Sequence, residues 1–376
     1  MSSELDVGVV IDAGSQCTKA GFISEPSPRC VIPTTVARFR RPGLIDGIPQ
    51  IFCGDEATRM QGVSNLTYPV KEGLIIDWDE MEKLWHHIFY KELHVPPEQA
   101  RIMHSVHSLV PRKDKERIAE VLFEAFAIKG LYLGRSATLA LHASGKTTGL
   151  VWENGFSSSN VTPIFEGFPL KHATLMSPMT GQKLTDRLQK LMSETGYSFT
   201  TPVERKLLDR IKAEMCYVAR DYSAELETFS CSGENKARFD LPDGQHVLLS
   251  DERFMVPECI FKPSLQGLDC LGIPDLICSS VDKCDLDYRP IFYENIVVSG
   301  GSTMFPGLIE RLDLELTRRI ARRQDVKIHI DALASRQYSV WAGGSLLASL
   351  DNLKGFWLTK KEYEDAGPEG VSYKFF

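Results

Sequence analysis

The sequence of 376 residues has no excess of positive charge, and its formal net charge is −7. That balance disfavours a protein that binds nucleic acid or acidic membranes directly. The sequence also has no apolar run long enough to cross a bilayer, and its first residues show no basic region followed by an apolar stretch. We therefore expect no direct contact with nucleic acid or a membrane, and no secretory signal.

Paired cysteines are missing as well. The chain has nine cysteines, an odd number, and none lies in a C-x-x-C pair. Scattered thiols are typical of a reducing compartment and argue against a zinc site. Low-complexity segments and long linkers are also absent. Because single cores usually stop growing below this chain length, we expect two lobes in a cytosolic or nuclear protein.

Strand and helix patterns alternate along the chain, which predicts an α/β fold. Residues 7–37 fit strands and turns, and 38–50 fit a polar surface loop. The other predicted elements are a helix from Asp79 capped by Asp77 or Asp79, a helix through Ile118 ending near Gly130, helices over 182–194, 203–219 and 308–320, and a hairpin over 234–249 that turns at 242–245.

A strand–turn–strand pattern with an acidic residue and a small turn occurs twice, from Val7 and from Gly149. Two such turns can hold a polyphosphate through backbone N–H groups. In the first copy, Asp12 could order a water on Mg²⁺, and Lys19 could neutralise phosphate charge. Gly14 permits close backbone approach, and Ser15 offers a hydroxyl. The alternative interpretation is an ordinary hairpin with a solvated lysine.

An apolar strand ending at Ser299 leads into two glycines and a predicted helix. Gly300 and Gly301 leave room for a flat adenine ring or its ribose, with Ser302 following, and Met304 and Phe305 could cover the ring. A simple strand-to-helix turn that needs positive φ is the alternative.

With these residues in view, the chain resembles the actin family from Val9 to its end. The matching segments are DAGS from Asp12, YPVKEGL from Tyr68, WDEMEKLWHH from Trp78, ASGKTTG from Ala143, PIFEG from Pro163, GYSFTT from Gly196, LPDG from Leu241, SGGSTM from Ser299 and YSVWAGGSLLASL from Tyr338. The resemblance implies the two-lobe actin fold, with ribonuclease-H-like cores and a nucleotide and divalent cation between the lobes.

The resemblance also implies the division of the chain. The first lobe would comprise residues 1–140 and 338–376, with a small outer subdomain at about 33–69. The second lobe would comprise residues 141–337, with an outer insertion at about 181–265. The fold class is therefore α/β, each lobe carrying a smaller inserted subdomain.

Departures from the actin pattern concentrate where hydrolysis would occur. Actins place a glutamine at the position of Ser136 to orient the attacking water. Their second hairpin carries two aspartates, which are Glu153 and Phe156 here around Gly155, and the histidine that follows is Asn160. Phosphoryl transfer depends on positioning and charge stabilisation, so losing several of these groups should be severe. Slow ATPase activity with Glu153 contacting the metal water is the competing interpretation.

The adenosine pocket implied by the resemblance is mixed. Lys212 matches a lysine along the base and Gly181 is kept, but the glutamate used toward the ribose is Ala213 and a lysine beside adenine is Gln337. We therefore expect nucleotide binding to be weakened. The pocket would hold ATP or ADP with Mg²⁺, or it would be empty.

Surfaces used for filaments are also altered. The actin loop that inserts between subunits matches residues 40–51 here, which carry Pro42 and Pro49. The actin plug loop matches residues 262–272, where Gln266 stands at a position that is apolar in actins. The N-terminal segment has only Glu4 and Asp6 as acidic residues. The cleft that accepts amphipathic helices in actins matches His142, Gly145, Thr147, Thr148, Leu346, Leu347 and Leu350.

These observations predict a divergent actin-related protein, a structural subunit of a cytoskeletal, motor-associated or nuclear complex, without ATPase activity. Its partners would be proteins, and its location the cytoplasm or cytoskeleton, with nucleus or cilium as alternatives. The rival is an ATP-hydrolysing actin that polymerises. A small-molecule kinase of the wider superfamily is remote, since it would need a carboxylate aimed at an acceptor hydroxyl.

Overall fold

A computed structural model describes residues 7–40, 50–232, 236–321 and 326–375. The chain forms two compact units. Unit 1 comprises Met1–Thr147, Ile164–Lys171 and Tyr338–Phe376, and unit 2 comprises Thr148–Pro163 and His172–Gln337. The expectations for the inserting loop at 40–51 and for Glu4 and Asp6 concern positions that lie largely or wholly outside the described residues.

The strands are short, as expected for mixed α/β units. They are β1 (Val7–Ala13), β2 (Cys17–Phe22), β3 (Cys30–Pro33), β4 (Val36–Phe39), β5 (Ile51–Cys53), β6 (Ser64–Thr67), β7 (Val70–Lys71), β8 (Leu74–Ile75), β9 (Ala100–Val106), β10 (Gly130–Arg135), β11 (Gly149–Asn154), β12 (Ser159–Phe165), β13 (Phe168–Pro169), β14 (Leu175–Met176), β15 (Ala237–Asp240), β16 (His246–Leu249), β17 (Ile296–Ser299), β18 (Ile330–Asp331) and β19 (Leu358–Thr359).

The α-helices alternate with these strands. They are α1 (Gly54–Arg59), α2 (Trp78–His87), α3 (Arg112–Glu120), α4 (Ser136–Ala143), α5 (Gly181–Glu194), α6 (Pro202–Met215), α7 (Tyr222–Ser232), α8 (Glu252–Glu258), α9 (Ile273–Asp282), α10 (Arg289–Glu294), α11 (Leu308–Ile320), α12 (Ser339–Ala348), α13 (Lys360–Ala366) and α14 (Gly370–Lys374). Within the described ranges, no helix combines the length and the apolar character that crossing a bilayer would require.

Unit 1 is built on a six-stranded mixed sheet with the order β19-β10-β9-β1-β2-β3. Strands β1, β9 and β10 run parallel, whereas β2 pairs antiparallel with β1. Alternate residues of β1 pack into different clusters: Val9 and Ile11 join the cluster around Trp85, and Val10 joins the cluster around Trp341. This period of two places apolar side chains on both faces of the sheet, so helices cover both faces.

Unit 2 has a second sheet in which β12, β11, β17 and β18 are neighbours. Strand β17 runs parallel to β11 and to β18, and β14 pairs antiparallel with β12. All six residues of β11 are buried, which is expected of a central strand with a layer on each face.

The ends of the helices show where local sequence signals were sufficient to predict the boundaries. The Asp77 side chain accepts a hydrogen bond from the Glu80 N–H at 3.1 Å, so Asp77 is the cap of α2, one of the two expected residues. The predicted end of the helix through Ile118, near Gly130, is wrong, because the helical structure already ends at Ala125. Its last helical segment is a π-helix, Val121–Ala125, and Ala127 then takes a left-handed φ of 54°. Gly130 instead begins β10.

Helix α6 is shorter than the expected 203–219, because it ends at Met215. Beyond it, the Tyr217 and Val218 N–H groups donate to the carbonyls of Arg253 and Pro306. These tertiary hydrogen bonds replace helical ones, and their partners are too distant in sequence for local patterns to reveal. The expected hairpin is present as β15 and β16, which pair antiparallel around 241–245.

Candidate functional site: two phosphate-type hairpins

The first hairpin pairs β1 with β2, and its register sets Asp12 directly opposite Lys19. Cross-strand neighbours of opposite charge attract each other. The Lys19 ammonium donates to Asp12 Oδ2 at 3.0 Å, and both side chains are largely buried. Burial alone would lower the pKa of Lys19, but the Asp12 charge and hydrogen bond outweigh it, so the pKa is raised. Lys19 is therefore a fixed cation at the mouth of this turn.

Ser105, at the end of β9, completes the surroundings of Asp12. Its hydroxyl donates to Asp12 Oδ1 at 2.7 Å, so each carboxylate oxygen accepts one hydrogen bond from the protein. A carboxylate offers about four lone-pair sites, which leaves capacity for a water. The site residues Gly14 and Ser15 form the turn after β1, where the Gly14 carbonyl accepts from the Thr34 hydroxyl at 2.6 Å. A Cβ on Gly14 would lie 2.8 Å from the Cys17 carbonyl oxygen, so only glycine fits there.

A cavity of about 20 Å³ lies beside this hairpin, with Ala13, Ser105 and His104 in its wall. His104 is buried, and among the described residues neither ring nitrogen has a hydrogen-bond partner. Its ring packs edge-on against Trp85 with centroids 5.5 Å apart. Burial lowers the pKa of His104 to about 4, so the ring is neutral at pH 7. The cavity has room for roughly one water, which could serve one of these nitrogens.

The second hairpin joins β11 to β12 through a turn closed by the Gly155 N–H, which donates to the Ser158 carbonyl at 2.8 Å. The turn rests on the N-terminus of α5. The Gly181 N–H donates to the Gly155 carbonyl at 3.0 Å, and the Gln182 N–H donates to the Phe156 carbonyl at 2.7 Å. The Ser302 hydroxyl also donates to the Gly155 carbonyl at 3.0 Å. The site residues Gly155, Gly181 and Ser302 therefore lie in direct contact.

Three of the positions that depart from the actin pattern lie in unit 2, namely Glu153, Phe156 and Asn160. Glu153 and Asn160 are buried, and the Thr162 hydroxyl donates to Asn160 Oδ1 at 3.1 Å. Phe156 cannot accept a hydrogen bond or contact a metal-bound water through its side chain. The fourth of these positions, Ser136, is the first residue of α4 in unit 1.

The turn after β17 needs a glycine for a steric reason. Gly300 has φ of 98°, and a Cβ there would lie 2.3 Å from the Asn154 carbonyl oxygen. Gly301 follows with open space around its Cα, as a surface that admits a flat ligand requires. Met304 is half-buried and Phe305 is buried, so the two expected ring covers differ in accessibility.

Lys212 lies inside unit 2 on α6. Its ammonium donates to the Gly181 carbonyl at 2.7 Å, the Thr185 hydroxyl at 2.6 Å and Asp209 Oδ1 at 3.1 Å. Its nitrogen is 5.9 Å from the centroid of the Phe156 ring. Burial lowers the pKa of Lys212, and the Asp209 charge compensates only in part.

Of the residues expected to line a partner cleft, His142 lies on α4, and Leu346 and Leu347 lie on α12. Gly145 and Thr147 follow α4 and Leu350 follows α12 in unit 1, whereas Thr148 belongs to unit 2. Leu346 is 50% exposed and Leu350 is 45% exposed, whereas Leu347 packs against the Trp341 cluster. His142 is half-buried, and burial lowers its pKa. Gly145, with φ of 72°, ends the turn after α4.

The family model for actin matches residues 5–376, essentially the whole chain. The chain belongs to the actin family. The resemblance inferred from the motifs is thereby confirmed, and so is the α/β fold class of the actin type.

Two residues that contact the hairpins, Ser105 and Asn154, were missed by sequence reasoning. Ser105 lies 93 positions from Asp12, and no local pattern links them. Asn154 directly precedes Gly155 and is fully buried, and among the described residues neither atom of its amide has a partner. A polar residue ending an apolar strand was a visible signal for Asn154.

The two units differ in how well their residues would suit a nucleotide with bound Mg²⁺. In unit 1, a phosphate and a metal-bound water would suit the side chains of Asp12 and Lys19 and the turn at Gly14. In unit 2, the unpartnered Asn154 amide could meet a polar group, but Phe156 offers none. Among the described residues, no three His, Cys, Asp or Glu side chains gather closely enough to hold a metal ion. Any Mg²⁺ would therefore be held through waters and the nucleotide's phosphates.

Proposed function

We propose that this actin-family protein is a structural subunit of a larger protein assembly and that it has no ATPase activity. The observation that carries the proposal is Phe156 at the turn of the second hairpin. Its carbonyl accepts from the Gln182 N–H, and its ring faces the Lys212 ammonium, where actins place a carboxylate. An apolar ring there gives an attacking water no acceptor.

The neighbouring substitutions support the same conclusion. Ser136 is shorter than the glutamine of actins, and Asn160 is engaged by the Thr162 hydroxyl. Removing one positioning group typically costs about 100-fold or more in rate, so several losses together should abolish turnover. ATP or ADP with Mg²⁺, where bound, would stabilise the folded protein by mass action without being consumed.

Protein partners are proposed from the exposed leucines of unit 1. Leu346 and Leu350 are four positions apart and about half exposed, which suits the apolar face of an amphipathic helix. A cytoplasmic, cytoskeletal location fits a family whose members work there, and nucleus and cilium are the alternatives. The net charge of −7 fits a protein partner better than nucleic acid.

ATP turnover in the presence of Mg²⁺ tests the proposal. We expect the wild-type protein to release phosphate no faster than buffer. Phe156→Asp returns a carboxylate to the turn, and Phe168→Asp, at a side chain that is 66% exposed, is the matched control. Turnover at an actin-like rate that Phe156→Asp leaves unchanged would sink the proposal. The rival, a polymerising ATPase, requires that result.

A further inference from the structure

Four hydroxyl-bearing residues are followed directly by proline: Ser27, Thr162, Ser177 and Thr201. Proline has a fixed φ and no N–H group, and it disfavours helical backbone at the residue before it. Proline-directed serine/threonine kinases select this dipeptide, because they bind the acceptor residue in an extended segment. Whether a kinase can reach a given hydroxyl then depends on the surroundings of that hydroxyl in the fold.

Two of these hydroxyls are engaged within unit 2. Thr162 is fully buried on β12, and its hydroxyl donates to Asn160 Oδ1 at 3.1 Å. Ser177 is half-buried, and its hydroxyl accepts from the Met179 N–H at 3.1 Å. A phosphate on either residue would displace a hydrogen bond of the fold, so neither residue is a suitable acceptor.

Thr201 is exposed, but its hydroxyl belongs to the capping box at the start of α6. The hydroxyl accepts from the Glu204 N–H at 3.3 Å, and the Glu204 carboxylate accepts from the Thr201 N–H at 2.8 Å. A phosphate on Thr201 would break this box and would lie beside a carboxylate of the same charge sign. Thr201 is therefore a poorer acceptor than a hydroxyl outside the hydrogen bonds of the fold.

Ser27 is the accessible and unengaged member of the set. It is exposed in the loop between β2 and β3, and no hydrogen bond with another described residue engages its hydroxyl. Pro26 and Pro28 flank it, which limits the backbone freedom that binding to a kinase would cost. The loop rests on α12 of unit 1, because the Ser24 N–H donates to the Ser345 hydroxyl at 3.0 Å. Ser27 is therefore accessible in the folded protein.

Arg29, two residues after Ser27, can hold a phosphate at this position. Its guanidinium donates to Glu25 Oε1 at 2.6 Å, and its side chain is 54% exposed, so this ion pair contributes little to stability. The Cα atoms of Ser27 and Arg29 are at most about 7.6 Å apart, which an arginine side chain can span. A phosphate dianion accepts strong, charge-assisted hydrogen bonds from arginine, so it would draw Arg29 away from Glu25.

We propose that Ser27 is a phosphorylation site for a proline-directed serine/threonine kinase and that Arg29 binds the attached phosphate. In the transfer, Ser27 Oγ attacks the γ-phosphorus of ATP, so that an O–P bond forms while the bond to the β-phosphate oxygen of the departing ADP breaks. The hydroxyl proton passes to the catalytic aspartate of the kinase. The modified loop gains roughly two negative charges, which changes the charge that this face of unit 1 presents to a protein partner.

Incubation of the purified protein with a proline-directed kinase and Mg·ATP, followed by peptide mass spectrometry, tests the site. We expect phosphate on Ser27 at a rate about 10-fold or more above that on Thr201, since a carboxylate borders Thr201. Pro28→Ala should lower the rate at Ser27 by about 10-fold or more, because it removes the residue that the kinase selects. Pro26→Ala keeps the dipeptide and is the matched control, with an expected change below about 3-fold.

Several results would overturn the site. One is the absence of phosphate on Ser27 while the same kinase modifies a Ser-Pro reference peptide. Another is an unchanged rate at Ser27 in Pro28→Ala, and a third is a rate on Thr201 equal to that on Ser27. Melting temperatures check the fold of the variants, since both proline variants should melt within about 3 °C of the wild type.

Phosphorus-31 NMR of the phosphorylated protein tests the role of Arg29. A phosphoserine has a second pKa of about 6, and a neighbouring cation lowers that pKa. We expect the pKa of the phosphate in the wild type to lie below that in Arg29→Gln by about 0.5 or more. Arg112→Gln, which breaks a comparable exposed pair with Glu116, is the matched control and should leave the pKa of the phosphate unchanged. Equal pKa values in the wild type and Arg29→Gln would overturn the binding by Arg29.

Discussion

At the scale of single residues, both hairpins meet a buried lysine that is paired with an aspartate. In unit 1 the pair is Asp12 and Lys19, set by strand register, and in unit 2 it is Asp209 and Lys212, set by helical spacing. Motif reasoning found Lys19 and Lys212, because their positions match a family pattern. It missed Asp209, since a carboxylate three positions from a lysine on a helix usually faces solvent.

The Asp12–Lys19 pair should contribute measurably to stability. Lys19→Met leaves Asp12 largely buried with only the Ser105 hydroxyl, and we expect a loss of about 2–3 kcal/mol, since one charge is left uncompensated. Urea denaturation followed by circular dichroism measures it. Lys91→Met breaks the exposed pair with Glu56 and should cost less than about 1 kcal/mol. Equal losses in both variants would contradict the burial argument.

His104 should make the fold sensitive to acid. Its pKa is about 4 in the folded chain and about 6.5 when exposed, so the unfolded chain binds more protons between these values. Stability should therefore fall as pH drops from about 6.5 to about 4, by up to roughly 3 kcal/mol. His104→Phe keeps the ring beside Trp85 and should flatten this dependence, as measured by melting temperature against pH. The exposed His246 provides the control variant, His246→Phe, which should keep the pH dependence of the wild type. If His104→Phe also kept the wild-type dependence of melting temperature on pH, a group other than His104 would be responsible.

At the scale of elements, helices α4 and α12 approach each other closely at Gly343. A Cβ on Gly343 would lie 1.7 Å from the Leu139 carbonyl oxygen, which is backbone and cannot rotate away. We expect Gly343→Ala to destabilise the protein by about 3 kcal/mol or more, because the helices must separate. Gly62→Ala, where a Cβ has open space, should change stability by less than about 0.5 kcal/mol. Thermal unfolding of both variants checks this, and a tolerated Gly343→Ala would refute the close crossing.

Elements also show how far the sequence alone reaches. Helix α2 could be predicted with its cap, because Asp77 and the periodic apolar residues are local signals. The ends of α3 and α6 could not. Ala127 takes a left-handed conformation that its residue type does not favour, and the chain after Met215 bonds to segments far away in sequence. Boundaries set by tertiary hydrogen bonds leave no trace in a local pattern.

At the scale of the whole molecule, the account predicts a protein that does not polymerise alone. The resemblance matches Gln266 to an apolar position of the actin plug loop, and the Gln266 side chain is half-buried. A polar group at a lateral contact must be desolvated without compensation, which weakens assembly. Sedimentation at high speed with Mg·ATP and salt should leave the protein in the supernatant. A pellet of filaments would favour the polymerising rival.

Family membership and fold class were within reach of the sequence, because the matching segments run almost the full length of the chain. The chemistry of the site was reached only in part. The substitution at Phe156 was visible, but the filling of the α5 terminus by hairpin carbonyls depends on three-dimensional contacts that no motif contains.

A single-turnover measurement tests whether this protein hydrolyses ATP. The purified protein is stripped of nucleotide, mixed with Mg·ATP in slight deficit, incubated, and denatured with acid so that all nucleotide can be counted. We expect ATP alone, in the amount supplied, if Phe156 and Ser136 replace the groups that position the attacking water, as proposed above. Conversion to ADP with the time course of an actin, absent from the buffer control, would contradict it.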